Sequence, residues 1–307
     1  MNETLKIRLM TLLLKLLGAL CVVVVLIYAV KHFGTQYAQE QIDVRLNESG
    51  LSAFVHYEDI HFNPLTLTPS LEQVTLGEKS APWLRLARVS FNHYPLFQPD
   101  LDIDFWIAES PTTELSRDSV RIMRTLGLET LLGKGHFSST KKADQLASYL
   151  SLDIKDLGRI VWDSQIQLTK PNESINTMRT DLLASLALGQ PEAMLILYGE
   201  HVAFEDVRIR YQENGMIEHL LPASEMSNYS DNDLSYLIQA ASETLGLASI
   251  GSSEAQQIGE TLLAFIKQPE HLTLTMKPNQ AIDLKDITLL LGDKDLYQQA
   301  NMQLSLD

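Results

Sequence analysis

The sequence predicts an α+β, β-rich protein. A single N-terminal transmembrane helix is followed by a curved, mostly antiparallel sheet with a few packed helices. Three observations predict it. Residues 9–30 form one apolar run of membrane-crossing length. From Leu51 onward, short segments rich in β-branched and aromatic residues replace the helical period with an alternating one. Between those segments stand a few runs with helical spacing and capping residues.

The anchor comes first. Leu9, Leu16, Val23 and Val30 mark its length, and its one internal charge is Lys15. Near one end of the span, a lysine stem can reach the adjacent surface at modest cost. Lys6 and Arg8 precede the run and Lys31 follows it, after which the chain turns acidic. Basic flanks favour the cytoplasmic side, so the N-terminus is expected in the cytoplasm and the bulk of the chain across the membrane. A cleaved signal peptide would have a shorter apolar region ending in small residues, and Tyr28-Ala29-Val30-Lys31-His32 does not supply that ending.

Charge separates the two parts. Of 24 basic and 39 acidic residues, the first 31 positions hold four and one, or +3. The remaining 20 and 38 make −18, a surface that repels nucleic acid. The only cysteine, Cys21, lies inside the anchor, so an intrachain disulfide is excluded.

Residues 33–47 continue the helical pattern and end at the turn residues Asn47-Glu48-Ser49-Gly50. Strands are expected over 54–62, 65–76, 84–91 and 101–107. Pro64, Pro69, Pro82, Pro95 and Pro99 sit at their ends and edges. In the last of them Leu101, Ile103, Phe105 and Ile107 alternate with Asp102 and Asp104, which share the wet face. A helix follows over 116–132, closed by Gly133-Lys134-Gly135. Strands are expected next at 145–154 and 160–169, then a short helix at 181–188 stopped by Gly189-Gln190-Pro191. Further strands are read at 193–198 and 201–211, with a turn at Asn214-Gly215. Helices at 230–247 and 253–267 precede three last strands at 272–276, 282–291 and 302–306. The segments group as a cytoplasmic tip with the anchor (1–31), a juxtamembrane helix or linker (32–50), a β module (51–111) and a β-rich domain with helices (112–307).

One short phrase recurs. Tyr57-Glu58-Asp59-Ile60, Phe204-Glu205-Asp206-Val207 and Leu284-Lys285-Asp286-Ile287 each put two polar residues between apolar ones. In a strand that breaks alternation by one position, as a bulge does. Asp59, Asp206 and Asp286 are therefore expected to hold backbone bends through local N–H groups.

No catalytic, cofactor-binding or metal-binding set emerges. Asp102 and Asp104 have no histidine near them in sequence and read as a solvated face. His56 and His61 stand at a spacing no common zinc pattern uses. Gly133-Lys134-Gly135-His136 follows an expected helix instead of opening one, so its N–H groups would not converge on a phosphate. Phe54, Phe62, Trp83, Phe91, Phe105 and Trp162 sit on expected strands as core residues. On an open sheet part of this apolar face would instead suit acyl chains.

Residues 54–110 carry a resemblance. Val55-His-Tyr-Glu-Asp-Ile-His-Phe-Asn-Pro-Leu-Thr-Leu-Thr-Pro-Ser-Leu-Glu-Gln-Val-Thr-Leu76, then Trp83-Leu-Arg-Leu-Ala-Arg-Val-Ser-Phe91 and Pro111, resemble the opening module of AsmA-like (AsmA/DUF748-type) envelope proteins. The resemblance implies a single-pass protein of the bacterial inner membrane with its bulk in the periplasm. It also implies a non-enzymatic role in envelope maintenance, as a lipid-handling module or a scaffold. The expected partners are membrane lipid at the anchor, acyl chains on an apolar sheet face and an envelope protein. The chain is short for a complete lipid bridge. An interaction subunit of an envelope secretion or transport complex is the alternative, and a membrane-tethered enzyme a distant third.

Overall fold

The computed structural model describes residues 3–93, 100–169, 174–221, 252–287, 289–290 and 293–306, together with Ser230, Asp233 and Tyr236. One helix, α1 (Glu3–Glu48), runs unbroken through the apolar segment and on to Glu48. It is long and apolar enough to cross a membrane, and residues 16–27 of it are exposed. Positive-φ Gly50 ends it.

After α1 comes an open sheet of twelve described strands, every pairing antiparallel. In chain order these are β1 (Val55–His56), β2 (Asp59–Asn63), β3 (Thr68–Glu78), β4 (Ala81–Phe91), β5 (Leu101–Pro111) and β6 (Thr130–Lys142). The rest are β7 (Gln145–Ile154), β8 (Gly158–Leu168), β9 (Val202–Glu213), β10 (His271–Met276), β11 (Ile282–Asp283) and β12 (Met302–Leu306). Strands β3 to β10 pair with their sequence neighbours, and β12 pairs with β10. Strands β1 and β2 add to β3, and β11 adds to β9. The fold is thus α+β and β-rich.

Among the described residues seven shorter α-helices fill the connections: α2 (Arg117–Thr125), α3 (Ile175–Ala187), α4 (Ala193–Tyr198), α5 (Met216–Leu220), α6 (Ser252–Lys267), α7 (Leu284–Ile287) and α8 (Lys294–Ala300). Two cores result. The first joins Ala38 and Ile42 of α1 to Ile60, Leu71, Val74, Leu86, Phe91 and Ile107. The second gathers Leu146, Ile166, Val202, Phe204, Met276 and Ile282 with Tyr198 of α4 and Ala300 of α8. Helix α3 links them, with Ile175 and Met178 in the second core and Ala187 in the first. Trp83 Nε1 donates to Ala187 O at 3.1 Å and pins that far end.

Several expected elements are corrected. The helix read over 116–132 is only α2. Ser116 caps it, and the turn beyond it carries Gly127 at φ 70, with Leu128 N–H bonded to Met123 O. Gly133 and Gly135, read as its terminator, lie inside β6. They are small because neighbours occupy the space: a Cβ on Gly135 would overlap the Phe105 ring, and one on Gly133 would meet Asp153 O. Residues 193–198, expected as a strand, form α4. Six apolar residues are too few for period to separate helix from strand, and turn bonds from Ala193 N–H to Gln190 O and Met194 N–H to Pro191 O start a helix. The strand expected at 282–291 is the two-residue β11 followed by α7. The helix expected at 230–247 falls, but for three residues, outside the described ones.

Candidate functional site

Strand alternation and hairpin register together build two apolar rows across the sheet. The first runs Leu71–Val89–Phe105–Gly135–Leu152–Ile160–Tyr211–Leu272–Leu306, each residue opposite the next on the neighbouring strand. The second, two residues along each strand, runs Phe91–Ile103–Phe137–Leu150–Trp162–Ile209–Leu274–Leu304. Residues two apart on a strand share a face, so one face is apolar from β4 to β12.

That face is covered unevenly. At the α1 end Leu71 and Phe91 are buried. At the far end α6 packs on it, the Phe265 ring 5.9 Å from Tyr211. Between them Ile103, Phe105, Phe137, Leu150, Leu152 and Trp162 are only half-buried, and Ile160 is 38% exposed. Up to roughly 1 kcal/mol of available burial is forgone for each large side chain left partly in water.

The polar members of the rows are accounted for locally. Tyr211 directs its hydroxyl off the end of β8, donating at 2.6 Å to Leu157 O and at 2.5 Å toward Glu213 Oε2. Burial, and secondly that carboxylate, push the phenol well above its ordinary range. At the edge of the apolar face, Arg179 of α3 donates to Ser139 O and Oγ, both at 2.8 Å, and burial lowers its pKa.

The opposite face is polar in the same register. Ser90, Asp104, His136 and Ser151 stand in one row, and Asp102, Ser138, Tyr149 and Asp163 in the next. Asp102 and Asp104 thus share a wet face as expected, but not without a histidine. His136 Nδ1 lies 2.8 Å from Asp104 Oδ1 and 3.7 Å from Asp102 Oδ1. Asn92 Nδ2 donates to Asp102 at 2.7 Å and to Asp104 at 2.9 Å. Sequence reading missed this partner because β5–β6 register, not proximity along the chain, brings it there. Among the described residues no group of three or more His, Cys, Asp or Glu side chains is arranged to hold a metal.

The three aspartates of the recurring phrase do not share one geometry. Asp59 opens β2, and its Oδ1 accepts the Ile60 N–H at 2.8 Å. Asp206 adjoins a true bulge, where Phe204 and Asp206 face Ile166 and Gln165, but its carboxylate lies 3.6 Å from Lys277 Nζ. Asp286 lies in α7 and not in a strand. Of the anchor residues, Leu9, Leu16, Val23 and Val30 all fall within α1.

A family model described as "Uncharacterized protein" matches residues 151–306, from within β7 to the end of β12. The comparison with curated proteins found no match. The matched half holds β8 to β12 and the helices around them, and it does not include residues 54–110.

Proposed function

The chain belongs to that family, whose description names no activity, and from this premise we propose that it is a non-enzymatic, lipid-handling module of the bacterial envelope. In this reading α1 is a single-pass anchor in the inner membrane. Its N-terminus is cytoplasmic, the sheet lies in the periplasm, and the apolar face takes acyl chains. The resemblance of residues 54–110 to AsmA-like proteins points the same way.

One observation carries the proposal: the half-exposed stretch of the two apolar rows. A face that only needed a core would be covered along its whole length, because uncovered leucine and phenylalanine cost stability and invite aggregation. Acyl chains recover that burial without a directional partner. The span from β4 to β12 crosses seven strand spacings, about 34 Å at roughly 4.8 Å each. That length suits one lipid molecule and falls short of a bridge between two membranes.

The test is photocrosslinking in native membranes, with benzoylphenylalanine replacing Leu150 on the apolar face or Tyr149 on the polar face. Lipid adducts at 150 and none at 149, identified by mass spectrometry, are expected. Adducts to protein alone at 150 would replace this reading with that of an interaction subunit.

A further inference from the structure

The β2–β3 connection, residues 64–67, is among the described residues one of two strongly exposed apolar features beside the anchor, the other being Ile196 and Leu197 of α4. Leu65 is 82% exposed and Leu67 51%. From Phe62 to Leu71 there is no charged residue. Leu67 also has φ 58, a backbone conformation usually left to glycine or asparagine. A leucine there incurs strain to present an apolar side chain, and water offers nothing in return.

Its position relative to α1 follows from two contacts. Tyr57 Oη donates to the Asp43 carboxylate. Nine residues nearer the N-terminus, the Phe62 ring lies so close to Gly34 that a methyl group there would overlap it. Gly34 to Asp43 rises about 14 Å along a helix, and Tyr57 to Phe62 spans about 16 Å of extended chain. Strand β2 therefore runs antiparallel to α1, back toward the apolar segment. Three residues past Phe62, Leu65 reaches up to about 10 Å further. That brings it level with residues 28–30, the last of the apolar run. Phe33, 66% exposed on α1 at this height, is the aromatic expected at a headgroup boundary.

The turn is also built to leave water. Pro64 has no N–H. Leu65 N–H and Thr66 N–H donate to Asn63 Oδ1 at 2.9 and 3.4 Å, and Leu67 N–H donates to Asn63 O at 2.8 Å. The Thr66 and Thr68 hydroxyls bond each other at 2.7 Å. No backbone donor of the turn needs solvent, which lowers the cost of entering a lipid interface.

We infer that this turn is a second membrane contact, with Leu65 and Leu67 seated in the lipid beside α1. The inference rests on the proposed reading of α1 as a membrane span and not on what the apolar sheet face carries. It gives the sheet a fixed orientation on the bilayer, since an anchor and a separate inserted point resist rotation together.

The experiment uses the full chain with Cys21→Ser in phosphatidylcholine nanodiscs, with single cysteines placed by Leu65→Cys, Val23→Cys and Glu78→Cys. Glu78 is exposed at the other end of β3. A spin label at 65 is expected to favour oxygen over an aqueous nickel chelate several-fold, as at 23, with the opposite preference at 78. Unlabelled, Leu65→Cys should react with a charged maleimide at least ten-fold more slowly than Glu78→Cys. Nickel accessibility and reaction at 65 equal to those at 78 overturn the inference while leaving the span intact. A nickel-accessible label at 23 overturns span and inference together. An inserted Leu65 with no lipid adduct at 150 overturns only the proposed function.

Discussion

Leu71 and Leu152 belong to the same row of the same face, yet Leu71 is 7% exposed and Leu152 is only partly buried. Both are leucines on antiparallel strands, and nothing local separates them. The difference is what lies on top. Strand β3 is packed by the outer turns of α1, through Ala38 and Ile42, whereas on β7 Leu146 is buried in the second core and Leu152 lies only partly buried at the margin of the first. Strand alternation decides which face is apolar, and the placement of helices decides how much of that face is closed. Among the described residues, a sheet of uniform make-up thus has closed ends and a less closed middle.

The comparison can be broken where the expected effects are largest. Leu71→Ala removes packed volume from a covered site and should cost about 2–5 kcal/mol of unfolding free energy. Leu152→Ala, at a partly exposed site, should cost less than about 2 kcal/mol. Denaturant titration of the full chain in mild detergent measures both, and equal losses would show the middle to be closed as well. Next in size is Gly135→Ala, which drives a methyl group into the Phe105 ring. It should cost about 1–3 kcal/mol, and most of the loss should return in the double variant with Phe105→Leu. An additive double variant would mean that the ring is not what makes the glycine necessary. Leu150→Lys sharpens the contrast differently. Its stem can lie along the open face with the ammonium in water, so a loss below about 1 kcal/mol is expected while lipid adducts at a neighbouring probe disappear. The smallest effect belongs to the polar face. Asp104→Asn weakens a partly exposed contact with His136 and should shift stability by no more than about 0.5 kcal/mol.

How much of this was legible in the sequence depends on the element. Residues 145–154 were read as a strand with the bounds that β7 has, because a strand near the sheet's centre shows its period plainly. Gly133 and Gly135 misled, since a glycine that ends a helix and one that makes room for a ring look alike in sequence. Residues 193–198 misled because six apolar residues carry no usable period. Asp286 shares its phrase with Asp59 and Asp206 but folds as helix, as the preceding pairing, β11 on β9, ends after two residues. The apolar rows escaped sequence reading for another reason. Each strand showed its own apolar residues, but placing Phe137 opposite Leu150 and Trp162 requires the register of two hairpins. The meeting of Asp104 with His136 was hidden in the same way.

Helix α1 is continuous from the apolar run to Glu48 with no proline, and before it ends its outer turns pack directly onto the sheet through Ala38 and Ile42. The sheet is thus mounted on a rigid shaft instead of a tether. A shaft transmits angle. Transmembrane helices commonly tilt by about 20°, and the nine strand spacings from β1 to β12 make an arm of roughly 43 Å. With α1 spanning a membrane as proposed, a change of tilt by about 20° would sweep the far edge of the sheet through about 15 Å, so a small adjustment to bilayer thickness at one end would become a displacement of molecular size at the other.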